Sequence, residues 1–293
     1  MRAKVLFLIL ITGFTIWTSC YPDEEIDAPV KESPDSNDPL DLYVQENFIE
    51  PFGVAVRFKY VDRYVDQTKR VTPPRREAVI PMLEFLEDFW VEPFTDAQNG
   101  DRFFRDHVPA EIVFIGSSMY NDDGTVTLGT ADAGARITLT EVNDVDVTDK
   151  AWIIRQLGTI YHEFAHIMHQ RYNLPPSWQQ ISPAGYTGSG SWYNLSDEEA
   201  LQRGFVSPYA TSSYNEDFAE LVAFLLFDEN FYEKYLEDED ENDPACAETG
   251  CAARNEGRQK LRQKYNAALS HYLQNTGVDL LEVRALVQQK LPQ

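Results

Sequence analysis

The run His162-Glu163-Phe164-Ala165-His166 constrains this chain more than any other stretch, because it pairs two metal-ligating side chains at a helical spacing. On an α-helix, residues four apart project from one face and lie about 6 Å apart along the axis. Two imidazoles on such a face can bind one metal ion. Glu163 lies beside the first histidine, where it can take a proton from water rather than bind the metal. The run therefore predicts half of a zinc site with Glu163 as its general base.

The residues around this run predict the helix that the site requires. Apolar side chains recur at spacings of mostly three and four between Asp149 and Tyr172, and Gly158 is the one break in that pattern. Thr148 or Asp149 can cap the start by accepting backbone N–H bonds, and we expect the helix to end near Pro175. An amphipathic core helix whose histidines are satisfied by hydrogen bonds is the alternative.

A catalytic zinc takes three protein ligands and leaves one position open, so the site needs a third ligand. Metzincins have a histidine six residues after His166, and this chain has Tyr172 there, which argues against that class. His169 shares the helix face, but about 10 Å of helix axis separates it from His162. We therefore interpret His169 as a hydrogen-bonded neighbour of the ligands. A carboxylate on another helix is the better candidate.

The segment Asn215–Glu220, with the sequence N-E-D-F-A-E, resembles the ligand motif of gluzincins, the thermolysin-like zinc peptidases. That resemblance implies that Glu216 binds zinc and that Glu220 holds a ligand histidine. Glu216 and Glu220 share one helix face, so Glu220 can accept the N–H of His162 or His166 and fix its tautomer. An exchange of roles between the two glutamates remains the alternative.

Tyr209 lies seven residues before Glu216. Its place is similar to that of a tyrosine in the catalytic domain of lethal-factor-type toxins. The similarity implies that the Tyr209 hydroxyl stabilises the tetrahedral intermediate. Tyr214 is the competing candidate for that role, and a tyrosine packed in the core with its hydroxyl bonded locally is the simpler alternative.

The start of the chain predicts export and a lipid anchor. Arg2 and Lys4 precede an apolar run, Val5 to Trp17, that is too short for a membrane-spanning helix, so residues 1–19 are interpreted as a signal peptide. The sequence Thr18-Ser19-Cys20 resembles the lipobox of bacterial lipoproteins and implies lipidation of Cys20. The only membrane contact expected is this anchor. An ordinary cleaved signal with an incidental cysteine is the alternative.

Residues 20–40 predict a flexible tether, because they contain too few apolar residues to pack. The acidic cluster just after Cys20 looks like the export signal of surface-exposed lipoproteins, although a solvated linker would have the same composition. We expect an outer-membrane lipoprotein that faces the periplasm or the cell surface. The formal net charge of −23 makes nucleic acid an improbable partner.

Cys246 and Cys251 are the other two of the three cysteines. Four residues separate them in a loop opened by Asp243-Pro244, and an oxidising compartment would allow them to form a disulfide. They lack the second pair that a four-cysteine zinc site needs.

Residues 41–293 are predicted to form a single zincin-like catalytic domain, with an α/β sheet part at 41–145 and a helical part with the metal site at 146–293. Alternating patterns predict strands at Gly53–Tyr60, Ala110–Gly116 and Ala135–Thr140. Edge strands of zinc peptidases pair with extended substrate, and Ala135–Thr140 is the candidate here. A strand paired on both sides is the alternative. The aromatic loop Pro175–Ser196 either lines a substrate site or is pinned to the domain by its rings.

The three motifs H-E-F-A-H-x-x-H-Q, G-F-V-S-P-Y-A and E-D-F-A-E-L-V, behind a lipoprotein signal, resemble those of zinc-binding metallopeptidase lipoproteins encoded beside TonB-dependent nutrient-import systems. The resemblance reaches from the signal to about Leu226. It implies an α+β, gluzincin-like fold with a small N-terminal mixed sheet and a mainly helical C-terminal half. It also implies one Zn²⁺ per chain, a peptide or protein substrate and a TonB-dependent import complex as partner.

We therefore expect a lipid-anchored zinc metallohydrolase that cleaves peptide bonds. The first alternative is a non-catalytic surface lipoprotein that binds substrate for an importer, with a structural or degenerate zinc site. The second is zinc-dependent hydrolysis of a non-peptide amide, since metal and base are common to both reactions.

Overall fold

The structure is a computed structural model, and it describes residues 37–65, 68–120, 126–127, 129–132 and 136–292. The predicted signal peptide, Cys20 and most of the tether lie outside the described residues. Asp38 to Gln293 form one compact unit. Its first helix begins at Pro39, within the last two residues assigned to the tether, and Asp38 caps that helix by accepting a hydrogen bond from the backbone N–H of Leu40.

The described part of the chain is mainly helical. Two π-helical turns, Gln45–Ile49 and Glu87–Val91, join neighbouring α-helices. The α-helices are α1 (Pro39–Val44), α2 (Glu50–Phe52), α3 (Arg76–Leu86), α4 (Glu92–Asp96), α5 (Gly100–His107), α6 (Lys150–Arg171), α7 (Trp178–Ile181), α8 (Asp197–Arg203), α9 (Tyr214–Phe227), α10 (Phe231–Tyr235), α11 (Pro244–Thr249), α12 (Cys251–Thr276) and α13 (Leu280–Lys290).

A small mixed sheet lies in the N-terminal half. Its order is β1-β2-β6-β5, with β1, β2 and β6 parallel and β5 antiparallel to β6. The described strands β3 and β4 form a separate antiparallel pair. This arrangement confirms the predicted α+β class. The strands are β1 (Ala55–Arg57), β2 (Glu111–Phe114), β3 (Met119–Tyr120), β4 (Val126–Thr127), β5 (Gly129–Asp132) and β6 (Arg136–Leu139).

Strand β6 corresponds to the segment Ala135–Thr140 that was predicted as a substrate-pairing edge, and that prediction is wrong. Ile137 of β6 pairs with Ile112 of β2 on one side and with Ala131 of β5 on the other. Both sides of its backbone are therefore occupied. The edge of the sheet beside α6 is β5 instead.

Helix α6 carries the histidine motif and runs through the core. Asp149 caps its start by accepting hydrogen bonds from the backbone N–H groups of Ala151 and Trp152, which confirms one of the two predicted caps. Phe164, between the two histidines, is 1 % exposed and packs against the rings of four aromatic residues. Burying a phenylalanine contributes about 1.5–3 kcal/mol, so these contacts fix the rotation of α6 about its axis. The four partners are Trp90, Phe94, Phe103 and Phe104.

Helix α9 packs along α6 and is itself covered by α12 and α13. Ser213 caps α9 by accepting a hydrogen bond from the backbone N–H of Glu216. Three apolar side chains of α9, those of Phe218, Leu221 and Leu225, are at most 1 % exposed. The two helices that carry the predicted metal ligands therefore lie side by side at the centre of the unit. Within the described residues, no helix has the length and apolar character needed to cross a membrane.

The aromatic loop Pro175–Ser196 is attached to the domain at two of its rings. Trp178 is fully buried and packs against Phe218, and the hydroxyl of Tyr186 donates to Asp217. Farther along, Trp192 of the short 3₁₀ helix Trp192–Asn194 packs against Tyr209. Pinning therefore describes the first part of the loop.

Cys246 and Cys251 form a disulfide, with their Cα atoms 5.0 Å apart. The bond joins α11 to the start of α12 across Gly250, which has the left-handed conformation that a glycine adopts readily.

Candidate metal centre

Three ligand atoms converge between α6 and α9. Nε2 of His162 lies 2.9 Å from Nε2 of His166 and 3.0 Å from Oε2 of Glu216. Nε2 of His166 lies 3.1 Å from the same carboxylate oxygen. The triangle brings together the three residues that the sequence predicted as metal ligands, and it forms a group that can hold a metal ion.

The dimensions of this triangle suit zinc. Ligand atoms about 2.0–2.1 Å from a tetrahedral zinc ion lie about 3.3 Å from one another, a few tenths of an ångström more than the observed separations. Two imidazoles and one carboxylate are also a ligand set that catalytic zinc sites use, with a further position left open. The residues present therefore fit the ion on donor chemistry and on spacing.

Glu220 fixes the tautomer of His162. Nδ1 of His162 lies 2.8 Å from Oε1 of Glu220, and an ionised carboxylate only accepts hydrogen bonds. Nδ1 therefore carries the proton, and in the neutral ring the lone pair of Nε2 points at the centre of the triangle. Glu216 thus contributes an atom to the triangle, and Glu220 lies behind a histidine.

His169 takes the corresponding place behind His166. Its Nε2 lies 2.7 Å from Nδ1 of His166. Burial, together with the neighbouring His166, lowers the pKa of His169 to about 4, so the ring is neutral at pH 7 and can accept that hydrogen bond. When the Nδ1–H of His166 donates to His169, Nε2 of His166 keeps its lone pair for a metal.

The electrostatic field of the site favours positive charge at its centre. Burial lowers the pKa of His162, but hydrogen bonds to Glu216 and Glu220 outweigh it and raise the pKa to about 10. Burial raises the pKa of the Glu216 carboxyl, whereas its hydrogen bonds to His162 and His166 bring that pKa well below the ordinary value. Both shifts indicate buried negative charge at the site, which a bound cation would neutralise.

Glu163 follows His162 on α6 and lies outside the group of three converging ligand atoms. Glu163 is 9 % exposed, and its negative charge raises the pKa of both His162 and Tyr209. The carboxylate is thus close to one predicted ligand and to the predicted oxyanion donor.

Tyr209, and not Tyr214, lies against the ligands. Its ring centroid is 5.8 Å from that of His162. Burial and the carboxylate of Glu216 raise the pKa of the Tyr209 hydroxyl, so it stays protonated and can donate. Tyr214 is the first residue of α9; the two tyrosines are similarly exposed, at 37 % and 40 %, so the ring contact with His162 is what distinguishes Tyr209.

Tyr172 occupies the position at which a metzincin has its third histidine, and its side chain contacts α5. The hydroxyl of Tyr172 lies 3.1 Å from Nε2 of His107 on α5. The third atom of the triangle comes from Glu216 on α9.

Two contacts in the site were not predicted from the sequence. The hydroxyl of Ser207 donates to Oε2 of Glu220, and the ring of Trp192 lies 5.0 Å from that of Tyr209 in an edge-to-face contact. Ser207 belongs to the motif G-F-V-S-P-Y-A, but nothing in a serine before a proline indicates a carboxylate partner thirteen residues away. Trp192 lies in the aromatic loop, without a spacing that ties it to Tyr209.

Comparison with known proteins places this geometry in a family. A family model described as "Putative zinc-binding metallo-peptidase" matches residues 33–281. The chain is also similar to the crystal structure of a protein described as a putative zinc-binding metallo-peptidase from Bacteroides caccae ATCC 43185, at 26 % identity and a TM-score of 0.67, over 86 % of this chain and 91 % of that one. A search of the curated proteins found no match. Since the family model covers most of the sequence, the chain belongs to the family of zinc-binding metallo-peptidases that this model describes.

Proposed function

We propose that this protein is a zinc-dependent peptidase of the gluzincin type. His162, His166 and Glu216 would hold one zinc ion. The observation that carries the proposal is the triangle of three ligand atoms, 2.9–3.1 Å apart, with Glu163 and Tyr209 beside it. The gluzincin assignment rests on the source of the third ligand, a glutamate on a separate helix with a second glutamate one turn later.

The residues of the site have distinct roles in this proposal. Zinc, when bound, supplies Lewis-acid chemistry that polarises a scissile carbonyl and acidifies water. Glu163 accepts a proton from the attacking water and delivers it to the leaving amine. Tyr209 donates its hydroxyl hydrogen to the oxyanion that develops on the carbonyl. Glu220 and His169 hold the two imidazoles in the tautomer that faces the metal.

The test compares wild type with Glu163→Gln. Metal content is measured by mass spectrometry, and hydrolysis is measured on a broad peptide library. We expect one zinc per chain in both proteins, because Glu163 is not a ligand, and a fall in kcat of about 10²–10⁴-fold in the variant, because the general base is lost. The matched control is Glu229→Gln, a glutamate on the surface that pairs with Lys150.

Three outcomes separate the candidate functions. Stoichiometric zinc without cleavage of any peptide would contradict peptidase activity. Undiminished substrate uptake by cells that carry Glu163→Gln, together with capture of peptide by the protein, would instead support a substrate-binding lipoprotein. Cleavage of non-peptide amides alone would point to an amidohydrolase.

We also propose that the chain is anchored to the outer membrane through lipid on Cys20 and serves a TonB-dependent import complex. The basic and apolar start of the sequence and the Thr18-Ser19-Cys20 run support the anchor. Labelling cells with a fatty-acid analogue tests it, with Cys20→Ala as the control. Label on wild type and none on Cys20→Ala is the expected result. Absence of label on wild type would contradict the anchor, and failure to co-purify with an import channel would contradict the partner.

A further inference from the structure

Ser207 connects the metal site to the turn that carries Tyr209. Its hydroxyl donates to Oε2 of Glu220 at 2.5 Å and accepts a hydrogen bond from the backbone N–H of Ala210 at 3.1 Å. Ala210 belongs to the 3₁₀ turn Tyr209–Ser212. One hydroxyl therefore bridges a side chain on α9 and a backbone group of that turn.

The contact with Glu220 completes the set of partners around that carboxylate. Oε1 of Glu220 accepts the Nδ1–H of His162, and Oε2 accepts the hydroxyl of Ser207. The terminal torsion of a glutamate has broad wells, so one hydrogen bond alone leaves the carboxylate plane free to rotate. With both oxygens bonded, the plane is fixed, and so is the direction in which Oε1 meets the ring of His162.

The contact with Ala210 fixes the hydroxyl itself. A serine hydroxyl has one hydrogen and two acceptor positions, and its hydrogen rotates to suit its surroundings. The N–H of Ala210 occupies an acceptor position, which leaves the hydrogen directed at Glu220. The turn Tyr209–Ser212 is also bonded to the aromatic loop, because the N–H of Thr187 donates to the carbonyl of Thr211 at 2.8 Å.

We propose that Ser207 is a positioning residue for the metal ligands: through Glu220 it sets the orientation of the His162 imidazole. Tyr209 begins the turn whose Ala210 N–H donates to Ser207, so one hydroxyl links that turn to the carboxylate behind His162. The inference deepens the proposed function and rests on its metal site. Replacing a group behind a metal-ligating histidine commonly costs 10–100-fold in metal affinity. Ser207 lies one hydrogen bond farther out, and we expect Ser207→Ala to weaken zinc binding about tenfold.

The experiment measures zinc affinity by competition with a chelator, in the full chain. Ser207→Ala removes the hydroxyl, Ser207→Thr keeps it, and Ser207→Cys keeps the volume with a weaker donor. Ser196→Ala is the control. The hydroxyl of Ser196 also accepts a hydrogen bond from a backbone N–H, in the capping box at the start of α8. We expect weaker zinc binding in Ser207→Ala, an intermediate value in Ser207→Cys and wild-type values in Ser207→Thr and Ser196→Ala.

The electronic spectrum of the Co²⁺-substituted protein gives a readout that a loss of stability alone would not change. We expect altered band positions in Ser207→Ala and their return in Ser207→Thr. A double variant with Glu220→Gln closes the test: if Ser207 acts through Glu220, then Ser207→Ala has little further effect in that background.

Equal thermal destabilisation in Ser207→Ala and Ser196→Ala, with unchanged zinc affinity and cobalt spectrum, would overturn the inference and leave Ser207 as a capping residue. Should Ser207→Ala fail to fold, unchanged zinc binding in Ser207→Cys would overturn it. Neither result would affect the proposed peptidase function, which fails instead if wild type binds no zinc.

Discussion

Asp217, the residue after the predicted ligand Glu216, forms an ion pair with Lys264 in the core. Their charged atoms are 2.9 Å apart, and the side chains are 1 % and 0 % exposed. Lys264 also donates to the carbonyl of Gly204, and Asp217 accepts from the hydroxyl of Tyr186. Burial raises the pKa of Asp217 and lowers that of Lys264, and the attraction between the two charges opposes both effects. The pair joins α9 to α12.

Lys264→Met should therefore destabilise the protein by about 3–5 kcal/mol, because it leaves a buried carboxylate without its cation. Urea unfolding, followed by far-UV circular dichroism, measures the free energy of unfolding. The double variant Asp217→Asn with Lys264→Met removes both charges and should recover much of that loss. A cost below about 1 kcal/mol for Lys264→Met would show that water reaches the pair.

Two glycines in long helices should respond to alanine in opposite directions. A Cβ at Gly158 of α6 would lie 3.5 Å from the ring of Phe227, which is an ordinary contact. Gly158→Ala should therefore stabilise the protein by about 0.5–1 kcal/mol, the difference in helix propensity. A Cβ at Gly257 of α12 would lie 1.8 Å from the carbonyl oxygen of Leu201. Gly257→Ala should cost about 1–3 kcal/mol, since backbone must move.

Thermal unfolding of the two variants beside wild type checks this pair. Gly158 lies one turn before His162, so zinc affinity is measured as well and should not change. Loss of stability in Gly158→Ala would mean that Phe227 lies too close to α6 to accommodate the added Cβ. Equal stability of Gly257→Ala and wild type would contradict the close approach of α8 to α12.

Glu239 gives the protein a pH-dependent contribution to stability. A hydrogen bond from Arg254, with a second from Arg258, holds the pKa of its carboxyl at about 2, below the ordinary value of 4.5. Because the pKa is lower in the folded protein, the contribution is complete above about pH 4.5 and disappears as the pH falls through about 2. Glu239→Gln should therefore be less stable than wild type at pH 7, and the difference should vanish near pH 2.

Urea midpoints of wild type and Glu239→Gln between pH 2 and pH 7 would measure this dependence. Glu237→Gln, in the same segment and exposed, is the control for the loss of one negative charge. A difference that stayed constant over the whole pH range would rule out the titration of Glu239 as its cause.

Motifs that lie within one helix could be predicted from the sequence. His162, Glu163 and His166 lie on one stretch of α6, and a cap residue and apolar periodicity predict that helix locally. The same holds for Glu216 and Glu220 on α9. Resemblance to gluzincins then suggested which helix supplies the third ligand, and the structure brings the two together.

Contacts between distant segments could not be predicted. Lys264 pairs with a carboxylate 47 residues away, and a lysine within a charged helix gives no sign of burial. Strand neighbours are equally non-local, so the alternation in Ala135–Thr140 predicted a strand but not that β5 would cover its outer side. Helix α5 was not predicted at all, and its aromatic residues pack against Phe164 in the metal helix.

Zinc removal should separate the residues that bind the metal from those around it. A ligand that binds only the folded protein stabilises it by about 4 kcal/mol at a thousand times its Kd, which corresponds to a rise in Tm of about 10 °C for a domain of this size. Chelation should therefore lower the Tm of wild type, and added zinc should restore it. His166→Ala and Glu216→Ala each remove an atom of the triangle and should abolish the response to zinc.

Glu163→Gln and Glu220→Gln distinguish the three glutamates of the site, because each has a different relation to the triangle. Glu163→Gln should keep the full response, since its carboxylate is not one of the three converging atoms. Glu220→Gln still carries an oxygen that can accept the Nδ1–H of His162, so it should respond with an affinity lowered about 10–100-fold, and saturate at higher zinc. If Glu220→Gln lost the response and Glu216→Ala kept it, the two glutamates would have exchanged roles, and zinc would lie on the other side of His162.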